Sequence, residues 1–404
     1  MGRTRAKTRK SRKSDNLPSM NNNNASSASM DSSSSFEPED KRSKQDESEE
    51  INSKNDEDES CNQVKVHVQP PTPTRQEHRP KPHGRDPTKT LNIAVSSRAL
   101  FNMEEEHKMF KEKGVDECIK MQLSKENEVL LPGSAFSFIK ALNNVNDALK
   151  KRDPEEDELI TVTLMSKNSA QVGIRLQKSI EKYPGLKIQR MSLTGGTSPV
   201  EYLEAFKITL FLTSEEKDVK EALRRGFPSA VMSTQHTNPP SETQLRVAFD
   251  LDAVLFSDES EKVYKKYGHF EFLEHEKKNR DKPLHDGPIK PFAVALGKMQ
   301  KKFGCTEDKS CPIRTYLVTS RDAEVGERAL KTLRHWGLQI NESHFMAGAP
   351  NDEILKAINP HIFFDDQKSH IDGARRSGTP SGHVPNTSCC RTEQELAKTN
   401  LFEK

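Results

Sequence analysis

The sequence predicts an α/β protein with a mostly parallel sheet, assembled from two related units behind a disordered N-terminal tail. Three observations carry this expectation. From about residue 91 onward, short β-branched or aromatic runs alternate with amphipathic stretches, as strand–helix units feeding a parallel sheet do. The ordered part repeats itself. The opening stretch has too few apolar residues to offset the entropy of ordering it.

Residues 1–89 are the expected tail. Seven basic residues between positions 3 and 13 open it, followed by Asn and Ser runs at 21–24 and 32–35. An acidic stretch at 46–59 comes next, and prolines at 70, 71, 73, 80 and 82 close it. The basic cluster reads as a solvated tail, a nuclear-import signal, or an arm attracted to RNA or lipid. Over the 404 residues, 63 Lys+Arg face 61 Asp+Glu, so the overall charge gives no argument for nucleic acid. Cys61, Cys118, Cys305, Cys311, Cys389 and Cys390 are scattered without a CxxC pair, which argues against a zinc site and a disulfide framework. No apolar run reaches the length of a membrane helix, so no membrane partner is expected. The expectation is a reduced, soluble, cytoplasmic protein, with nuclear entry through the basic N-terminus as an addition.

Strands are expected at 91–95, 160–165, 209–212, 246–249, 315–318 and 361–364, with amphipathic helices at 170–183 and 323–336 between them. Self-similarity organises these elements. IAVSSRALF from Ile93 aligns with VAFDLDAVLF from Val247, and LMSKNSAQVG from Leu164 with LVTSRDAEVG from Leu317. Gly195 aligns with Gly348, and TLFLTSEE from Thr209 with HIFFDDQK from His361. All four blocks fall in the same order at an offset of about 150 residues. The expected domains are therefore two α/β units at 90–240 and 245–390, with a C-terminal tail at 391–404.

The repeat sorts the halves. Where the second unit has Asp250, Asp252, Asp365 and Asp366, the first has Ser96, Arg98, Thr213 and Ser214. The first unit keeps the apolar framework but lacks the oxygen ligands of a hard cation, so it reads as degenerate. Chemistry belongs to the second.

There, Asp250 and Asp252 leave a strand two residues apart, so both can face the crevice beyond the carboxyl edge, one as nucleophile and one as proton carrier. Thr319 ends the next strand. It reads as a helix N-cap or as a ligand for a phosphate oxygen. The run HIFFDDQ empties an apolar strand into Asp365 and Asp366, which is unfavourable without a cation or buried hydrogen bonds.

In this order the three elements resemble the signature of the haloacid dehalogenase superfamily. The longer strings FDLDAVLFSDES (249–260), CPIRTYLVT (311–319) and PHIFFDDQ (360–367), with AVSSRALF (94–101) and TGG (194–196), resemble the cytosolic 5′-nucleotidases of type I. The resemblance covers roughly residues 90–388 and implies a Rossmannoid parallel sheet with a helical cap at about 257–310. It also implies Mg²⁺-dependent hydrolysis of nucleoside 5′-monophosphates of the AMP type. Asp250 would form an aspartyl phosphate and Asp252 would act as acid, then base. Mg²⁺ would be held by Asp250, the backbone carbonyl of Asp252, and Asp365 or Asp366, while Thr319 would hold a phosphoryl oxygen.

The cap segment carries His269, Phe270, Phe272 and His275, which stack on a base or pack the cap's own core. Two positions depart from the family pattern. Leu251 stands where the family has Gly, and Asn351 follows Gly348-Ala349-Pro350 where it has Lys. Lys356 is the candidate substitute for phosphate binding. The alternative is a catalytically impaired pseudoenzyme that binds nucleotide or a partner; a further one is a nucleic-acid-associated protein using the basic tail. The first unit is expected to pack against the second and supply an oligomer or regulatory surface, giving a homo-oligomer.

Overall fold

Runs such as LNIAV and ITVTLMS bury every residue, as strands covered on both faces do. The computed structural model describes residues 90–233, 240–304 and 310–386; the tails expected at 1–89 and 391–404 lie outside them. The first half contributes β1 (Leu91–Val95), β2 (Ile160–Ser166), β3 (Arg190–Leu193), β4 (Leu210–Thr213) and β5 (Ser229–Met232). The second contributes β6 (Leu245–Phe249), β7 (Ile313–Thr319), β8 (Glu342–Phe345), β9 (Ile362–Asp365) and β10 (Ser381–His383). All ten form one sheet in the order β3-β2-β1-β4-β5-β10-β9-β6-β7-β8. Each half is parallel throughout and has the same internal order.

The halves meet where β10 runs antiparallel to β5, with Gly382 opposite Met232. An antiparallel seam between two like-ordered parallel halves relates them by an approximate twofold. Their carboxyl edges therefore face opposite ends of the sheet. The seam explains Gly382: a Cβ there would meet the Cβ of Ala230 at 2.9 Å and the Phe364 ring at 3.2 Å.

On one face a single apolar core runs across the seam. The helices Phe136–Arg152 and Lys290–Phe303 meet there, with Phe138 6.4 Å from Phe292, its own counterpart in the repeat. Phe292 also packs on Phe249 (6.2 Å) and Phe364 (5.9 Å). This helix falls inside the 257–310 segment expected to form the cap, yet it belongs to the sheet layer. What stands over the second crevice is a shorter hairpin of helices, Glu259–Tyr267 and His269–Lys278, hinged at Gly268 (φ 87°). The first half carries the same device, a helix at Glu104–Ser124 broken at Gly114 (φ 85°). Both hinges sit in the left-handed region that favours glycine.

Detailed bonding repeats as well. The Ser96 N–H donates to the Leu212 carbonyl as the Asp250 N–H does to that of Phe364. Ser179 receives the Leu130 N–H as Thr332 receives that of Leu284.

One buried histidine gives the fold a pH dependence. The Nδ1 of His361 accepts the Arg246 N–H (3.1 Å), so its Nε2 carries the proton donated to the Ser241 carbonyl (2.9 Å). Burial pushes its pKa down to about 4. The unfolded chain then binds this proton more readily than the fold, so stability is full above about pH 6.5 and falls as pH drops toward 4. Denaturant unfolding of the wild type should lose about 3 kcal/mol more over that interval than His361→Gln. Equal pH slopes would remove His361 from the account.

Candidate active site

The sheet order places the ends of β9, β6 and β7 side by side at one edge. Asp365 ends β9, Asp250 follows β6, and Thr319 ends β7, so one strand layer delivers all three to the same crevice. The Asp250 N–H donates to the Phe364 carbonyl at 2.9 Å, which fixes the first two strand ends together. One carboxylate oxygen from each of Asp250, Asp365 and Asp366 lies within 4.8 Å of the others.

After Asp250 the backbone makes a wide turn over Leu251–Leu255, with Ala253 at φ 57°. The first half instead runs from Ser96 straight into a regular helical turn, Ser97–Leu100. A non-glycine residue held in the left-handed region is sparsely populated and clusters at functional sites. Leu251 is fully buried in the main core, which is how the chain accommodates a side chain between the two aspartates.

The electrostatics of the cluster are unfavourable as it stands. Burial first, then the charges of Asp365, Asp252 and Asp366, push the Asp250 carboxyl well above the ordinary range. Burial first, then Glu261, Asp365 and Asp252, raise Asp366 to about 7, against the pull of Lys265. Asp365 is better supported: it accepts the Gln367 N–H at 2.7 Å and pairs with His370 Nδ1 at 2.9 Å. Hard oxygen ligands at this spacing, with charge left uncompensated, fit a divalent cation.

Asp252 points elsewhere. Its two oxygens receive Nε and Nη2 of Arg321, each at 2.7 Å, a bidentate pair. Arg321 is buried, and its Nη1 donates to Glu276 of the cap hairpin at 2.7 Å. Burial alone would lower the Arg321 pKa, but the charge and hydrogen bonds of Asp252, and then Glu276, raise it. The Phe272 ring lies 5.5 Å from the Arg321 guanidinium, so this aromatic packs within the site's cap wall, while Phe270 is 70% exposed. Thr319 is buried, its Oγ1 accepting the Arg321 N–H at 3.4 Å.

The structure does not bring Lys356 to this group. It is exposed in the last turn of the helix Asp352–Ile358, whose buried face is Leu355 and Ile358. At about 100° per residue, a position next to Leu355 turns away from the sheet. Asn351 is placed differently: it is 2% exposed, and neither side-chain polar atom has a hydrogen-bond partner. Its repeat counterpart, Ser198, donates to Asp218 (3.3 Å), and Asp218 corresponds to His370, the partner of Asp365. By the repeat, Asn351 takes the position whose counterpart bonds the equivalent of His370, whereas Lys356 is exposed on the outer side of its helix.

A family model described as 5′-nucleotidase matches residues 84–390. The chain belongs to the 5′-nucleotidase family. The family match spans both halves of the sheet, so the half without the acidic cluster is part of the shared architecture. Human "Cytosolic 5′-nucleotidase 1B" is 47% identical over 296 residues, covering 72% of this chain and 48% of that protein. The chain thus matches about half the length of this relative. A solved structure, "Structure of Pnkp1/Rnl/Hen1 complex", aligns at a TM-score of 0.26 and 16% identity over 73% of this chain and 96% of that one, too distant to carry an argument.

Within the family frame, sequence reasoning missed Arg321 and Glu276. An arginine two residues past a strand reads as an ordinary loop cation. The available signal was the repeat, in which Arg321 faces Asn168 and Glu276 faces Gln122.

Proposed function

We propose that the protein hydrolyses nucleoside 5′-monophosphates, of the AMP type, to nucleoside and phosphate in the cytoplasm. The observation that carries this reading is the convergence of Asp250, Asp365 and Asp366 beside Thr319 at one sheet edge, in a chain of the 5′-nucleotidase family. A carboxylate oxygen of Asp250 attacks phosphorus, and the bond from phosphorus to the ribose 5′-oxygen breaks. Asp252, protonated once the Arg321 fork releases one of its oxygens, gives that proton to the departing oxygen, releasing the nucleoside. Asp252 then takes a proton from water as that water attacks phosphorus; the Asp250–phosphorus bond breaks and phosphate leaves. Thr319 holds a phosphoryl oxygen throughout. Asp250, the Asp252 backbone carbonyl, and Asp365 or Asp366 would hold Mg²⁺, which when bound offsets the charge of the phosphoryl oxygens. The cap hairpin excludes water from the crevice.

The test is phosphate release from AMP, IMP, CMP and their deoxy forms. Turnover is expected with Mg²⁺ and is expected to vanish in EDTA and return with added Mg²⁺. Turnover that survives EDTA would remove the metal from the reading.

One observation favours a second reading, a pseudoenzyme that binds nucleotide without turnover. The position taken by Lys in the family holds a neutral, buried amide, and Lys356 is turned outward. Binding of AMP without phosphate release would select it.

A further inference from the structure

The two halves of the sheet form an internal comparison, because one has kept the acidic cluster and the other has lost it. Position by position, what disappears with the carboxylates separates chemistry from architecture. Arg328 and its counterpart Arg175 are both kept. Each is buried, each donates Nε to a backbone carbonyl (Lys282 at 2.9 Å, Glu128 at 3.2 Å), and each pairs with a glutamate of its own hairpin. This arginine staples the hairpin to the sheet in both halves and belongs to the fold.

Arg321 behaves in the opposite way. Its counterpart is Asn168, and its partners change with it: Asp252 becomes Arg98 and Glu276 becomes Gln122. The ring beside it, Phe272, becomes Cys118. Four positions from three separate stretches of sequence but joined in space, Asp252–Arg321–Glu276 with Phe272, are lost together where the acidic cluster is lost. A contact needed only to seat the hairpin would have no reason to follow the nucleophile.

We infer that Arg321 is the positioning residue of Asp252, and that the cap hairpin sets the place of the acid–base carboxylate through Glu276. The inference rests on the phosphohydrolase reading above. The guanidinium fork fixes both oxygens of Asp252 in one plane at 2.7 Å, a restraint that a lysine cannot reproduce. On the other side it is fixed by Glu276, which also receives Arg328 Nη1 (3.0 Å) and Ser260 Oγ (2.8 Å). Arg328 in turn holds Glu259, so both helices of the hairpin bear on the chain that ends at Asp252. A substrate that shifts the hairpin thereby moves the group that must protonate its leaving oxygen. Arg321 is not assigned a contact with substrate; it acts through Asp252.

The test uses the full chain with Mg²⁺ and two substrates that differ in their need for an acid. AMP has a poor leaving oxygen, whereas p-nitrophenyl phosphate has a good one. Single-turnover release of nucleoside or nitrophenol reads the cleavage step alone. Arg321→Met is expected to slow cleavage of AMP about 100-fold and that of p-nitrophenyl phosphate less than about tenfold, with KM for AMP changed little. Glu276→Gln, which keeps the shape but weakens the tie to the cap, is expected to give the same selective loss at smaller size. Because Arg321→Met leaves Glu276 short of a partner, Arg321→Lys is measured beside it, with thermal unfolding of each. Lysine keeps the charge without the fork and is expected to recover the fold and only part of the AMP rate. Equal losses on both substrates in the folded variants, or a loss confined to KM, would overturn the inference and leave the nucleotidase reading standing. A wild type inactive on both substrates overturns both.

Discussion

Asp250→Asn is expected to reduce phosphate release by at least about ten-thousand-fold while making the metal-free protein more stable. The first effect follows from losing the atom that bonds to phosphorus: an amide oxygen is a poor nucleophile, and the remaining groups only bind and orient. The second follows from the packing of like charges. Asp250 is buried beside Asp365 and Asp366, and its carboxyl is pushed upward by burial and by those neighbours. A group that holds its proton more tightly in the fold than in the unfolded chain makes the fold lose stability as pH rises past the ordinary carboxylate range. The variant lacks that loss. Without metal it should exceed the wild type in stability near neutral pH, read as a rise in Tm. Mg²⁺ should stabilise the wild type and do little for the variant. Calorimetry at several pH values with and without EDTA measures all three. A variant less stable than the wild type would mean that Asp250 is satisfied where it stands.

Asn351→Lys carries the second large effect, an expected gain in AMP turnover of about 100-fold. Electrostatic stabilisation of developing charge is usually the largest single contribution of a site's residues, and removing one donor costs about 3 kcal/mol. Asn351 is buried and unpartnered on both polar atoms, and its repeat counterpart Ser198 bonds to Asp218, the counterpart of His370. A lysine there is expected to add positive charge to a cluster that His370 and Lys265 offset only in part, and to reach the phosphate. The same contact should raise Tm in the absence of metal. The comparison is kcat on AMP for wild type and variant, with Lys356→Ala as a reference that changes neither rate nor stability. An unchanged kcat in a folded variant would show that the neutral amide already suffices. A dead wild type revived by lysine would identify a pseudoenzyme on an intact catalytic frame.

How much of this was legible depended on which signal each residue carried. Strands β1, β2, β4, β6, β7 and β9 announce themselves because strands covered on both faces draw dense runs of β-branched, aromatic and aliphatic residues. RMSL and ESHF, at β3 and β8, are four-residue outer strands with half-exposed polar positions, and nothing in them rises above loop composition. SAVM and SGH, at β5 and β10, are short because the seam leaves little room, as Gly382 shows. The repeat told that there were two units but not that they join edge to edge. Asp250, Thr319, Asp365 and Asp366 could be found because polar residues at the ends of apolar strands are conspicuous. Arg321 and Glu276 carry no such local mark, because their burial arises only when the hairpin folds over the crevice; only the repeat, with Asn168 and Gln122 in their places, singles them out.

The contact of Phe138 with Phe292 across the seam is a residue meeting its own image, the mark of an isologous interface. Here that interface is covalent. The protein has the anatomy of a homodimer whose two subunits are joined in one chain, the one without the acidic cluster covering the edge of the other. The silent half cannot be discarded on that account. Without it, the β10 edge and the Phe292 face would lie open, a ready template for pairing with other chains. Variation in the half without the acidic cluster should therefore surface as aggregation or loss of protein rather than as altered substrate choice. A defect mapped there would belong to quaternary structure, although only one chain is involved.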